Sequence, residues 1–332
     1  MNQVIGIAIR RVEGKTACCR VDAKGKDRSM TPEEAQEYFA GHPTYKGIEA
    51  VEIDGQQMVK IPAFYVSSGE HNEDPVFWIS PSERRGFHLH PAFLRHGEPA
   101  PYFLVGAYEG SLNGGLAMCS LPGMATVGDR SFHDMRTACL ARNGGPLGGW
   151  DMWNVYQLAA LQRLAMIETG STDSQIVLGR GHVDGGGLEL TGKSGLCWRG
   201  IHDLWGNSWA MVAGLETDEE HQIFLLDNQG HGTMLPTGIK TPCDGIGFIS
   251  AMHAESGSYF NLSDIFLPKA VVDNQEEALY PDYFWKSWPG EHNVAYHGGY
   301  WGHGSSSGLF TLSLRYPASL SSASIGCRLA KA

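Results

Sequence analysis

Asn293-Val-Ala-Tyr-His-Gly-Gly-Tyr-Trp-Gly-His-Gly-Ser-Ser-Ser-Gly-Leu-Phe-Thr-Leu-Ser-Leu-Arg-Tyr-Pro317 decides how the rest of this chain is read. Its middle, Gly298 to Gly308, is too rich in glycine for a helix or strand, because each glycine adds backbone freedom that a regular element must remove. Yet it carries Tyr300, Trp301 and His303, side chains a plain linker has no use for. Leu309 to Leu314 then alternates Leu309, Thr311 and Ser313 with Phe310, Leu312 and Leu314, the period of a strand with one buried face. Ile325 to Leu329 reads as a last short strand. Two closing strands thus frame loops dense in aromatic, His and Ser groups. Rigid rings and small adaptable hydroxyls are what binding loops use, and loops on a rigid scaffold carry much of protein function. The plainer reading of the same residues is a loosened loop with its aromatics tucked into the core.

Outward from that stretch, 332 residues suffice for a substantial core, and 42% apolar against 18% charged residues marks a globular chain. The 43 glycines fall in short clusters without a period, which implies many turns and excludes collagen. Lys and Arg number 25 against 36 Asp and Glu, for a net charge of −11 with no basic run. Such a chain has no electrostatic grip on nucleic acid or on an anionic membrane surface. Seven cysteines (Cys18, Cys19, Cys119, Cys139, Cys197, Cys243 and Cys327) form no CxxC, so reduced thiols are expected rather than a disulfide framework or a structural zinc site. No secretory signal is read, since the basic pair Arg10-Arg11 follows the apolar patch instead of preceding it. No apolar run approaches the ~20 residues that span a bilayer.

Along the chain, Val4 to Ile9 is a first strand. Thr31-Pro32-Glu33-Glu34 predicts a helix start with a capping box, and Gly41 its end. Ile48 to Ile53, an Asp54-Gly55 turn and Gln57 to Ile61 form a hairpin. Residues 1–55 are expected as a small α+β lead-in for attachment or oligomerisation, and residues 56–332 as the main domain. Strands follow at Met58 to Val66 and Tyr102 to Glu109. Ser131 caps a helix from Phe132 to Arg142, and Asp151 caps a second from Met152 to Glu168, apolar almost all round and so deeply buried. Gly179 to Gly195 is loop, Gly200 to Val212 a turn feeding a strand, and Ile223 to Leu226 a further strand. The fold class is α+β.

Three further features bear on chemistry. His88 and His90 would share one face of a strand, but a third metal ligand at useful spacing is missing, so packing and hydrogen bonding are expected of them. Gly179-Arg-Gly-His-Val-Asp-Gly-Gly-Gly lacks the ending of a phosphate loop and reads as a surface loop ordered by His182 and Asp184. Asp203-Leu-Trp-Gly-Asn-Ser-Trp reads as a tight turn pinned between core tryptophans. Glu109, Asp203, Asp244, Glu255 and Asp264 are scattered, and no pair is set up for acid–base work; no catalytic set, metal or cofactor is assigned.

Taken in order, several of these pieces resemble the formylglycine-generating-enzyme type of C-type lectin fold, from about Met58 to Leu329. Met58 to Tyr65 is similar to its opening strand, Phe103 to Gly110 to its Tyr-Glu strand, and Gly200-Ile-His-Asp-Leu-Trp-Gly-Asn-Ser-Trp-Ala-Met to its "GLYDMxGNVWEW". Gly298-Gly-Tyr-Trp and Ile325-Gly-Cys-Arg are similar to "RGGSW" and "GFRC". The enzymes of that fold carry a redox-active cysteine pair just before an Arg that matches Arg315. Here Ser305 to Leu314 holds no cysteine, and hydroxyls do not replace a copper-binding thiolate. Ala210 stands where the family has Glu, which removes a ligand from a family-type calcium site.

The other branch of the fold fits better: the retroelement-diversified variable proteins, which include phage major tropism determinant-like tail receptor-binding proteins. That resemblance implies a homotrimeric tail-fibre adhesin on a virion, made in the host cytoplasm, which binds a bacterial surface protein or glycan and contacts other tail proteins. It implies a ligand surface of Tyr296, His297, Tyr300, Trp301, His303, Ser305, Ser306, Ser307, Thr311, Ser313 and Tyr316. Two alternatives stay open: a structural virion protein without a receptor, and an oxidase or oxygenase of the enzyme branch.

Overall fold

Local signals set the first elements of the computed structural model, which describes residues 3–112, 114–145, 147–241, 245–286 and 292–332. Thr31 Oγ1 accepts from the Glu34 amide and the Glu34 carboxylate accepts from the Thr31 amide, so the expected capping box starts the helix Pro32–Gly41. Glu49–Ile53 pairs with Gln56–Pro62 around Asp54 and Gly55, whose φ values of 52° and 67° suit a two-residue hairpin loop. Ser131 caps Phe132–Leu140 as read.

The long helix, Val155–Thr169, starts later than its local pattern suggested. Asn154 is the cap, not Asp151, and Gln157 closes a capping box. Trp150–Met152 is instead a strand paired with Leu329–Lys331, and the Asp151 carboxylate bonds Arg136. Pairing with the far end of the chain outweighs the nearby cap.

Strands dominate and helices are few, so of the α+β expectation the strand-rich part with its few helices is what the structure shows. One sheet runs Lys15–Val21, Ile5–Val12, Asp74–Ser80, Tyr65–His71, His88–Leu89. A second runs Trp150–Met152, Leu329–Lys331, Tyr102–Gly106, Gln56–Pro62, Glu49–Ile53. The third and largest runs Met234–Lys240, Gln222–Leu226, Trp209–Thr217, Asn293–His297, Leu312–Ser313, Tyr280–Trp285, Gly247–Met252, Pro268–Val272, with Ile325–Cys327 parallel to Trp209–Thr217.

The lead-in is not set apart. Ile5–Val12 pairs with Asp74–Ser80, and the boundary at residue 55 falls inside a hairpin. Tyr45 Oη donates to Leu164 O at 2.8 Å and Arg20 Nε to Ile167 O at 3.0 Å, which ties the segment to the long helix. Two strands and short helices bury too little surface alone, so they extend sheets that already exist. Every residue from Val155 to Ile167 is buried, including Gln162, whose amide donates to Leu309 O at 2.7 Å, and Arg163, which bonds Ser68 Oγ at 3.1 Å. Polar side chains inside an apolar helix thus hold other segments against it.

The closing strands also differ from expectation. All of Leu309 to Leu314 is buried, and only Leu312–Ser313 is a strand. It is paired on both edges within the large sheet, and side chains on both of its faces are buried, so no face alternates with solvent. The last strand divides at Arg328: Ile325–Cys327 joins the third sheet and Leu329–Lys331 the second. The buried Arg328 guanidinium donates to Gly106 O at 2.8 Å, His202 O at 2.7 Å and Asp203 O at 2.8 Å.

Candidate functional site

Sheet register assembles one wall of a site from residues far apart in sequence. Trp285 lies opposite Ser313 on a parallel neighbour, and Ser313 opposite Tyr296 on an antiparallel one. Tyr296 in turn faces Met211. Trp209 stands two residues from Met211 and so on the same face, beside its own partner Ile325.

The glycine-rich loop is folded onto that wall. Gly298 and Gly299 have φ of 93° and 79°. A Cβ on Gly299 would fall 2.3 Å from Ser307 Oγ, so neither the backbone geometry nor the space admits a side chain. Trp301 N donates to Asn207 O at 3.1 Å, Gly304 N to Val183 O at 2.9 Å, and Gly185 N to Trp301 O at 2.8 Å. The loop is therefore held by two other turns. One is the expected Asn207 turn: Asn207 has φ 53°, between the buried Trp205 and Trp209. The other is the glycine-rich surface loop, in which His182 Nε2 pairs with Gly187 O at 2.7 Å and Arg180 with Asp184.

Loop and wall enclose a cleft of about 380 Å³. His303 stacks on Trp285 with ring centres 4.9 Å apart and planes at 20°. Trp209 meets Trp285 edge-on at 5.4 Å and His303 at 5.2 Å, and Tyr300 meets His303 at 4.2 Å. Tyr296, Tyr316, Ser313, Ser322, Ser324 and Arg315 complete the lining with Leu320 and Ile325. Burial among these rings lowers the His303 pKa to about 4, so the imidazole is neutral at pH 7. Its Nδ1 is buried with no hydrogen-bond partner among the described residues. No Asp or Glu lines the cleft among the described residues. Such a surface offers ring faces and neutral donors and acceptors; it holds no acid–base pair.

Of the eleven residues read as a ligand surface, Tyr296, Tyr300, His303, Ser313 and Tyr316 converge on this cleft. Tyr296 and Ser313 do so as buried floor, with Tyr296 Oη donating to Pro317 O at 3.1 Å. His297, Ser307 and Thr311 are interior, which corrects their placement on an outward patch. His297 Nε2 pairs with Leu309 O at 2.8 Å, and Thr311 Oγ1 donates to Ser306 O at 2.8 Å. Trp301 and Ser306 are half-buried loop residues outside the cleft, and Ser305 lines a separate hollow with Asp173, Arg180 and Asp282. Strand alternation could not reveal this, because the segment after the loop is covered on both sides.

The sequence reading did not assign Trp209, Trp285, Ser322 or Ser324 to the site. The signal for Trp285 was the alternation Tyr280, Asp282, Phe284, masked by a carboxylate at a core position. Asp282 is buried, its Oδ2 accepts from Phe310 N at 2.7 Å, and burial pushes its pKa well above the carboxylate range.

The other flagged residues have structural partners. His88 Nε2 bonds the Asp264 carboxylate at 2.8 Å, and His90 Nε2 the Asp264 backbone oxygen at 3.1 Å, so hydrogen bonding is their role. Among the described residues no three His, Cys, Asp or Glu side chains come together to hold a metal ion, and no helix is long and apolar enough to cross a membrane. Cys139 and Cys327 are buried thiols, and Cys243 and Asp244 lie outside the described residues.

No protein-family model matches this chain. No curated protein matches it. Among solved structures, the Major Tropism Determinant P3c variant aligns over 69% of this chain and 50% of its own, at 13% identity and a TM-score of 0.33. The chain thus spans half the length of that protein. Treponema denticola variable protein 1 aligns over 85% and 98%, at 10% identity and 0.39. PvdO from Pseudomonas aeruginosa aligns over 83% and 94%, at 13% identity and 0.40. These are distant similarities, and the functional weight lies with the cleft itself.

Proposed function

We propose that this chain is a receptor-binding protein with a C-type lectin-like fold, an adhesin on a phage or prophage tail that takes a bacterial surface ligand into its aromatic cleft. The observation that carries the ligand site is the convergence of Trp209, Trp285, Tyr300 and His303, from two strands and one braced loop, around an open volume. Preformed aromatic walls lose little entropy when a ligand docks, so they can anchor it. The motif order from Met58 to Arg328 supports the fold subtype and the tail setting. The chain is read as a binder, not a catalyst, because Ser305 to Leu314 carries no thiol pair before Arg315. A homotrimer would multiply weak single sites by avidity.

The test uses labelled protein on a panel of bacterial strains. At least one strain should bind it, and Tyr300→Ala and His303→Ala should each weaken that binding at least about tenfold, while Ser305→Ala, outside the cleft, should not. Unchanged binding by both cleft variants would take the cleft out of the role. A panel without any bound strain would remove the adhesin reading.

A further inference from the structure

We infer that the cleft recognises an uncharged, hydroxyl-rich saccharide of one or two rings, rather than a cation or an acid. This rests on the reading of the cleft as the ligand site. Three observations point the same way.

The first is the shape and surface of the walls. The His303–Trp285 stack and the edge-on Trp209 form rigid apolar planes beside a serine-lined floor. A sugar ring has that same division, with C–H groups on its faces and hydroxyls at its edge. The volume of about 380 Å³ is near the small end of ligand pockets, which run from ~300 to ~1,000 Å³.

The second is the kind of polar group present. Ser313, Ser322 and Ser324 can each donate and accept, and Ser322 Oγ lies 3.1 Å from Ser324 Oγ. His303 Nδ1 has no hydrogen-bond partner among the described residues. A neutral imidazole has one donor and one acceptor, as a hydroxyl does. Its burial, which holds the pKa near 4, keeps it in that form at pH 7. A sugar hydroxyl both donates and accepts, and these groups can answer it in either sense.

The third is charge. An aromatic box can hold a quaternary ammonium by cation–π attraction. Here no described carboxylate lines the box, and Arg315 belongs to the lining, its guanidinium 5.7 Å from the Tyr316 ring. A cation would find no described carboxylate in the lining to hold it. An acid would meet a guanidinium that already has interactions of its own, on a chain of net charge −11 that opposes its approach.

The experiment applies the full chain to a microarray of neutral, acidic and zwitterionic microbial saccharides, then titrates the bound ones by tryptophan fluorescence, since Trp209 and Trp285 line the cleft. Bound saccharides should share an uncharged unit and change the emission saturably. His303→Phe keeps a ring in the stack but removes both nitrogens, and should weaken binding at least about tenfold. Tyr300→Ala, on the loop, should do the same and guards against a folding defect in the first variant. Binding confined to charged saccharides, or none on the array, overturns the inference. The two readings fail separately. Bacterial binding that is lost in Tyr300→Ala, resists neutral saccharides as competitors and disappears after protease treatment of the cells leaves the cleft as receptor site and removes the sugar. Bacterial binding that survives both cleft variants removes both readings.

Discussion

The Trp285 indole and the His303 imidazole stack 4.9 Å apart at 20°, one ring on a strand and the other on the glycine-rich loop. The stack fastens the loop to the sheet and leaves a buried nitrogen, His303 Nδ1, without a partner among the described residues. An unpartnered buried polar atom costs ~1–3 kcal/mol. His303→Phe should therefore melt at or above the parent temperature, within about 4 °C for ~1 kcal/mol, while ligand binding falls. A melting temperature well below the parent's would mean that the nitrogens hold the loop.

Gly308 and Asp282 form a second coupled pair. A Cβ on Gly308 would lie 1.9 Å from Asp282 Oδ1. Gly308→Ala should destabilise by ~1–3 kcal/mol through overpacking. In an Asp282→Ala background the same change should cost much less, a non-additivity that a denaturant double-mutant cycle reads directly. Additive costs would show that the clash is not with Asp282.

Glu109 is buried beside Asp203, and its Oε2 accepts from Asn207 Nδ2 at 2.6 Å. Burial first, then the Asp203 charge, raise its pKa to about 8. The folded state thus holds a proton that the unfolded chain releases near the ordinary value of about 4.3. The stability tied to this proton is fully present below that value and is lost as pH rises to about 8, by at most ~1.4 kcal/mol per pH unit. Glu109→Gln should flatten that part of the profile and be relatively more stable at pH 8 than at pH 5. Parallel profiles for the two proteins would rule out a protonated Glu109.

Arg328 spans three backbone carbonyls from two segments. Arg328→Met should cost ~3–5 kcal/mol by leaving those acceptors unpaired. Arg328→Lys should recover only part of this, since an ammonium cannot reproduce the planar fork. Full recovery by Lys in urea melts would reduce the role to charge alone.

The start of the long helix is testable in the same way. Asn154→Ala removes a cap bonded to the amides of Tyr156 and Gln157 and should cost ~1 kcal/mol. Asp151→Ala removes an exposed pair with Arg136 and the bond its carboxylate accepts from the Met152 amide, caps no helix, and should cost less. The reverse order would restore Asp151 as the cap.

Features that depend on neighbours in sequence were legible. The Thr31 capping box, the Asp54-Gly55 hairpin, the buried helix and the Asn207 turn all follow from side chains within a few residues of one another. Strands with an irregular pattern were not. Tyr280–Trp285 carries a buried carboxylate where a strand pattern wants an apolar residue, and Met234–Lys240 holds Pro236 and Gly238, tolerated because the strand lies at a sheet edge.

By itself the sequence determined that the last forty residues hold a glycine-rich loop carrying aromatic side chains beside core strands, because glycine freedom and apolar periodicity are local properties. Only the tertiary structure decided which of those side chains share a cleft. Trp209 and Trp285 join Tyr300 and His303 through strand register, and His297, Ser307 and Thr311 go inside because neighbouring strands and the long helix cover them. Register and covering are set by long-range pairing, and no window along the chain contains both partners.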